Sequence, residues 1–304
     1  MPMERRHFVK LMLPAALIQP LAAQGGASKP LLRFGAIADP QYADKDMRRN
    51  RFYRKSPAKL EKAITALNKH PLDFVVTLGD MIDCEFESFG PMMERYARLR
   101  VPHYKVYGNH DFEVADADKG KVAAAMEMPE LGYYAVEYGG WKLLFLDGTE
   151  LSTYRYPSKD PRTVAAEAER VKLQKAGVVS ALSWNGGMSK AQFEWLQKVL
   201  DQAEAAGQKV IVMNHFPILP EGDRHNLWNA EQLLERLDAS SQVVAYMNGH
   251  NHKGGYVDHK GVHYVNFKGM VESAKETAYA VVSCYSDRIE IEGFGAEPDR
   301  KLKL

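Results

Sequence analysis

"QVVAYMNGHNH", residues 242–252, runs from an apolar stretch straight into Gly249, His250 and His252. A short apolar run of this kind reads as a buried strand. The two imidazoles at its end are either ligands or part of a polar turn, and the rest of the chain decides between them. "LLRFGAIAD" (31–39) is a strand ending in Asp39, and "LDFVVTLGD" (72–80) is one ending in Asp80. "PHYKVYGNHD" (102–111) ends in Asn109 and His110, and "QKVIVMNHFP" (208–217) runs into His215. Helical patterns lie between them. "SPAKLEKAITALNKH" (56–70) has Ser56 as its expected cap and Pro57 at its first position. Residues 91–100, 189–206 and 229–239 read as further helices. "YYAVEYGGWKLLFLDGTE" (133–150) reads as a hairpin through Gly139-Gly140 whose second strand ends at Asp147, and three short strands follow after residue 260. Strands alternating with helices make an α/β chain, in which the carboxyl ends of the strands gather on one side. Five strands therefore bring Asp39, Asp80, Asn109-His110, His215 and His250/His252 to one rim.

A single Asp or Asn after a strand is usually a turn residue or a cap, and a single histidine there is usually a core residue. The whole set is different. Carboxylate, amide oxygen and imidazole together suit Mn, Fe or Zn, and there are enough donors for two ions. Two ions sharing a carboxylate clamp an in-line displacement at phosphorus. Asp80 follows Gly79, while Gly108 and Gly249 precede Asn109 and His250, and glycine permits close backbone approach.

The chain has 304 residues, 45% of them apolar, and a formal charge of +1. That composition supports a real core and lacks the basic excess of a protein that coats a nucleic acid polymer. The first residues stand apart. "ERRHFVKLMLPAALIQPLAAQGGASKP" has Arg5 and Arg6, an apolar run over residues 11–23, then small residues. That is the layout of an export signal, too short and too interrupted by Pro14 and Pro20 to span a bilayer well. "RRHFVK" is similar to a bacterial twin-arginine signal. We therefore expect residues 1–28 to be signal and linker, use of the twin-arginine export machinery, cleavage within 23–28, and a mature periplasmic protein with no stable membrane insertion. The two cysteines, Cys84 and Cys284, either pair or stay as thiols.

The motifs Asp39, Gly79-Asp80-Met81-Ile82-Asp83, Gly108-Asn109-His110-Asp111, His215 and Gly249-His250-Asn251-His252 resemble the calcineurin-like metallophosphoesterase superfamily over residues 32–294. Longer blocks resemble one subgroup, the manganese-dependent ADP-ribose/CDP-alcohol diphosphatases. These are "ADPQYAD" (38–44), "RRNRFYRKS" (48–56), "WNGGMSKAQFEWLQKVL" (184–200), "LWNAEQLL" (227–234) and "GHNHKGGYVDHKGVHYVNFKG" (249–269).

The resemblance implies a four-layer αββα sandwich of two mixed sheets, with residues 29–304 as one domain. It implies two divalent ions, Mn²⁺ first, with Fe or Zn as alternatives. One site would take Asp39, Gln41, Asp80 and His252, the other Asp80, Asn109, His215 and His250, with Asp80 bridging. Gln41 is a departure, since most of the superfamily has Asp-x-His at the first motif. A neutral oxygen donor should hold its ion less tightly. His110 would face the scissile phosphate as acid or charge stabiliser, and Asp83 would orient it. The nucleophile would be water activated by the ions' charge.

The implied reaction is hydrolysis of the diphosphate bond in a nucleoside-diphosphate-linked small molecule such as ADP-ribose or a CDP-alcohol. The alternative on the same core is a phosphomonoesterase or cyclic-nucleotide phosphodiesterase. A non-catalytic binding protein would be expected to have lost a ligand or the central histidine, and here all are present. For specificity, "KDMRRNRFYRKS" (45–56) supplies Arg51 and Arg54 as candidates to hold a second phosphate. Tyr42, Trp184 or Trp228 could stack on a base. Residues 159–182 form a helical stretch of the kind that could cap the cleft.

Overall fold

Alternation along the strands decides how the layers stack. In β1 (Leu32–Ile37) Leu32, Phe34 and Ala36 enter one apolar cluster and Ile37 another. In β2 (Phe74–Leu78) Phe74, Val76 and Leu78 join the first cluster and Val75 the second. In β5 (Trp141–Phe145) and β6 (Lys209–Met213), Trp141, Leu143, Phe145, Ile211 and Met213 face that same first cluster, while Leu144, Val210 and Val212 face a third. Every one of these strands is buried on both faces, and each such aliphatic or aromatic side chain contributes about 1.5–3 kcal/mol of burial. The structure, a computed structural model, describes residues 29–129 and 131–304. The export-signal reading of residues 1–28 lies outside the described residues.

The first sheet runs in the order β12-β11-β10-β1-β2-β3, with β3 (His103–Val106), β10 (Ala278–Cys284), β11 (Arg288–Gly295) and β12 (Arg300–Lys303). The second runs β4-β5-β6-β7-β9-β8, with β4 (Tyr134–Tyr138), β7 (Val243–Asn248), β8 (Lys253–His259) and β9 (Val262–Lys268). Both are mixed. β1, β2 and β3 are parallel, as are β5, β6, β7 and β9, while β10–β12, β4 and β8 pair antiparallel with their neighbours. The two sheets share the first cluster between them, from Phe34 and Phe74 to Met247 and Phe267.

Helices close both outer faces. α1 (Ser56–Leu67) buries Leu60, Ala63, Ile64 and Leu67, a 3–4–7 stripe, against the first sheet with α2 (Phe89–Tyr96) beside it. α5 (Lys190–Ala205) and α6 (Ala230–Asp238) cover the second sheet through Phe193, Leu196, Leu233 and Leu237. The four-layer αββα order expected from the resemblance is present. α3 (Val122–Ala125) and α4 (Pro161–Lys175) lie in the connections.

The details differ in physically readable ways. A 3₁₀ turn at Tyr53–Lys55 runs straight into α1, so Lys55 occupies the cap position and Ser56 is already helical. The hairpin turns through Gly139 and Gly140, with φ of 55° and 83°, as a two-residue turn with both residues left-handed requires. β8 and β12 were not expected. Both are sheet edges with little or no buried apolar side, so no alternation marks them. Cys84 and Cys284 are both free, and Cys284 sits in the inter-sheet core. No helix among the described residues is long and apolar enough to cross a membrane.

Candidate metal centre

Strand exits of both sheets converge on one spot. β1 delivers Asp39 and Gln41, β2 Asp80, and β3 Asn109 and His110; β6 delivers His215, and β7 His250 and His252. Of the eight non-glycine residues with positive φ among the described residues, four are here: Asp39 (49°), Gln41 (43°), Asp80 (50°) and His250 (68°). Left-handed L-residues are strained by about 1 kcal/mol or more each and need surroundings that over-determine them. Those surroundings are visible. Gln41 N–H donates to the Asp80 carbonyl (2.8 Å), and His250 N–H donates to both Asp39 carboxylate oxygens (3.1 Å each). The buried Asp111 carboxylate accepts the N–H groups of Met81 and Gly108 (2.8 Å each), Asp80 (3.2 Å) and Ile82 (3.3 Å). It thereby ties the exit of β2 to that of β3. Two glycines matter by their missing side chains: a Cβ on Gly108 would come 2.1 Å from Asp80 Oδ1, and one on Gly249 2.5 Å from Asp39 Oδ2.

Two buried donor groups form, Asp80-His215-His250 and Asp39-Asp80-His252, each with ligand atoms within 4.8 Å of one another. Asp80 belongs to both. Around the first group, His215 Nε2 lies 3.3 Å from Asp80 Oδ2, 3.2 Å from Asn109 Oδ1 and 3.1 Å from His250 Nδ1. The outer hydrogen bonds fix the tautomers. His215 Nδ1 lies 2.8 Å from the Leu78 carbonyl, so its proton is there. Asn185 gives its Nδ2 to the carbonyls of Ser180 (2.8 Å) and Arg224 (2.7 Å), which leaves its Oδ1 to accept from His250 Nε2 at 2.8 Å. His215 Nε2, His250 Nδ1, Asp80 Oδ2 and Asn109 Oδ1 therefore turn lone pairs toward one another. Such a convergence is unfavourable until a cation fills it.

The second group gives the same answer by a different route. His252 donates Nδ1–H to Glu272 Oε1 (2.7 Å), and its Nε2, 3.5 Å from Asp39 Oδ1, is buried without a hydrogen-bond partner. Gln41 donates Nε2–H to Asp80 Oδ2 (2.8 Å), and its Oε1 is likewise buried and unpartnered. Two orphaned acceptors beside two carboxylates fit a divalent ion with nitrogen and oxygen ligands. The electrostatics agree. Burial opposes charge on His215, yet Asp80 and Asp39 raise it to about 9. Burial pushes His250 down, reinforced by the charge of His215. The carboxylates thus draw positive charge into the gap, as a proton or as a metal ion.

His110 is outside the donor groups. Its backbone N–H donates to Asp80 Oδ1 (2.9 Å), and its Nδ1 lies 3.2 Å from the Asp83 carbonyl, 3.4 Å from Asp83 Oδ1 and 3.5 Å from Glu113 Oε1. Burial disfavours its charge, but Asp80, Glu113 and Asp83 raise it to about 9. Arg51 Nη1 stands 3.3 Å from its Nε2. The Asp83 carboxylate is also held by Lys45.

An open cleft of about 1050 Å³ lies over the centre, lined in part by Arg48, Arg49, Arg51, Trp184, Arg224 and His225. Arg51 is placed as expected of a phosphate ligand. Arg54 is not: it is held by Asp44 (2.6 Å) and Asp46 (2.5 Å) and does not line the cleft. Of the aromatic candidates, Trp184 lines the cleft with the Arg224 guanidinium 4.8 Å over its ring. Trp228 is buried and donates to the Leu182 carbonyl (3.1 Å), and Tyr42 packs on the helical side of the first sheet. α4 contributes no lining residue, so the helical stretch expected as a cap does not cover the cleft. Asp147 turns away into a buried pair with Arg155 (2.6 Å). Four supporting residues had no sequence-based role: Asp111, Glu113, Asn185 and Glu272. Two of them carried a local signal: Asp111 follows His110 directly in the motif, and Asn185 lies in the block that starts at Trp184.

The profile of the family described as calcineurin-like phosphoesterase matches residues 32–254. A mouse (Mus musculus) protein named manganese-dependent ADP-ribose/CDP-alcohol diphosphatase is 31% identical, over 90% of this chain and 94% of its own length. An Arabidopsis thaliana protein of the same name is 29% identical, over 88% of this chain and 95% of its own. A solved structure described as a dimetal phosphatase from Danio rerio superposes with a TM-score of 0.81 at 23% identity, covering 90% of this chain and 99% of that one.

Proposed function

We infer the reaction from one premise: this chain belongs to the calcineurin-like phosphoesterase family. We propose that it hydrolyses the diphosphate bond of nucleoside-diphosphate-linked small molecules, ADP-ribose and CDP-alcohols being the class named for its relatives. The observation that carries the phosphoesterase chemistry is the pair of donor groups sharing Asp80. Asp39, Gln41, Asp80 and His252 would hold one ion, and Asp80, Asn109, His215 and His250 the other. The ions, Mn²⁺ in the relatives' name, supply the charge that makes water nucleophilic at neutral pH and offsets charge on the phosphoryl oxygens.

The chain's own groups do the rest. His110 Nε2 is the donor that protonates the departing oxygen, and Asp83 with Glu113 favours its charged form. With Asp80 engaged as a ligand, Asp83 and Glu113 would carry this task. Arg51, beside His110, holds the second phosphate, and Trp184 offers a ring for a base. ADP-ribose plus water then gives AMP and ribose 5-phosphate, and a CDP-alcohol gives CMP and the phosphoalcohol. A substrate panel with Mn²⁺, its products resolved by mass, tests this. No orthophosphate is expected, and oxygen from ¹⁸O-water should enter one product only. Prompt orthophosphate release from monoesters, with ADP-ribose and CDP-alcohols intact, would refute it.

We also propose that the chain acts outside the cytoplasm, on the strength of "RRHFVK" and the apolar run. Changing Arg5 and Arg6 together to Lys should trap precursor in the cytoplasm, and unchanged export would reject the twin-arginine route.

A further inference from the structure

We propose that Lys253 and Lys268 form an anion-binding arm of the cleft, which favours diphosphates whose second moiety carries a negative charge over those with a cationic one. The inference rests on the reaction above and narrows its substrate class. The two lysines are register partners on the antiparallel pair β8–β9, so their side chains share one face directly opposite each other. Both line the cleft. They also flank a candidate ligand. Lys253 follows His252, and Lys268 precedes Gly269, whose backbone packs so closely on the His252 ring that a Cβ would fall 2.7 Å from Cγ. The Lys268 stem lies across Gly254, where a Cβ would meet its Cγ at 2.7 Å.

Like charges directly opposite on a sheet destabilise it unless something lies between them. Among the described residues, neither ammonium has a salt bridge or a side-chain hydrogen bond, although Lys260 at the same sheet edge pairs with Asp238 at 2.7 Å. Nearby acids are taken. Glu272 holds His252, Asp223 holds His225 at 2.8 Å, and Glu297 holds Arg300 at 2.5 Å. Four arginines of the cleft, Arg48, Arg49, Arg51 and Arg224, add to the excess. Against them stand Asp80, which belongs to both donor groups, Glu113 and Glu272, each turned toward a histidine, and Glu276. Two unpaired ammoniums facing each other beside the metal centre suit a phosphate or carboxylate on the substrate, whose oxygens take both. A quaternary ammonium in the same place is repelled.

The test is a matched series on the Mn²⁺-loaded enzyme: CDP-choline, CDP-glycerol, and CDP-glycerol bearing a phosphate on its free hydroxyl. For the wild type we expect kcat/KM to rise from cationic to neutral to anionic by roughly fivefold per step, the scale of a half-exposed ion pair. In K253E/K268E the anionic-to-cationic ratio should invert, and in wild type it should shrink in high salt. A ratio near one, equal in wild type and variant, overturns this inference while leaving the diphosphatase reading intact. No cleavage of any of the three overturns both.

Discussion

Glu272→Ala should loosen one of two metal ions and spare the other. Glu272 Oε1 sits 2.7 Å from His252 Nδ1, and His252 belongs only to the donor group with Asp39 and Asp80. Loss of a carboxylate behind a ligating histidine lowers metal affinity about 10–100-fold, or about 1.4–2.7 kcal/mol. The Glu272 side chain is 33% exposed, so water can replace part of its hydrogen bond, which places the loss near the lower end, about tenfold. The mirror experiment is Asn185→Ala. Asn185 is wholly buried behind His250, where bulk water does not reach its hydrogen bond, and the loss should approach the upper end, about hundredfold. Metal-stripped protein titrated with Mn²⁺ by calorimetry, or by electron paramagnetic resonance of the free ion, resolves the two affinities. Each variant should displace one affinity and hold the other within about threefold, since the links between the two groups, Asp80 and the His250 N–H on Asp39, are altered in neither. If either variant lowered both affinities equally, or neither affinity moved, the division into two ion sites would be wrong.

His110→Ala should keep near-normal metal content while kcat falls by ~10²–10⁴, with less loss on a leaving group that needs no proton; metal loss with turnover retained would remove His110 from its role. Gly108→Ala should shed metal and destabilise the fold by about 1–3 kcal/mol, because the new Cβ would meet Asp80 Oδ1 at 2.1 Å and Asp80 N at 2.3 Å, and backbone cannot swing aside. A thermal melt and elemental analysis check it, and an unaltered metal content would contradict the packing. Gln41→His should retain activity with tighter binding of the ion beside Asp39, seen as a lower Mn²⁺ requirement, provided that the unpartnered Oε1 is a ligand.

The fold was legible where burial is one-sided or complete. Strands such as "FVVTL" and "KVIVM" lie in the middle of sheets, so all but Thr77 and Lys209 are apolar and the exit residue stands out. β8 was illegible because it is an edge: Lys253, Tyr256 and Asp258 face solvent, and Gly254-Gly255 supplies no side chains to alternate. The start of α1 shifted for a local reason. The 3₁₀ turn ahead of it already supplies helical backbone, so Ser56 had no extended conformation from which to cap.

At the site, the donors could be read because each belongs to a strand exit, a property of the linear chain. Their supports could not. Glu272 reaches His252 from 20 residues away, and Asn185 reaches His250 from 65. Both are polar residues in loops whose partners exist only after the sheets pack. The basic run at 45–56 shows the limit most sharply. Its residues are equivalent as text, yet competition for acids sorts them. Asp44 and Asp46 capture Arg54 on the surface, Asp83 captures Lys45 and reaches Arg51 only at 3.9 Å, and Arg51 stands beside His110 in the cleft wall with Arg48 and Arg49. Charge composition can say that a phosphate would be welcome there; only the placement of the neighbouring carboxylates says which cation is free to bind it.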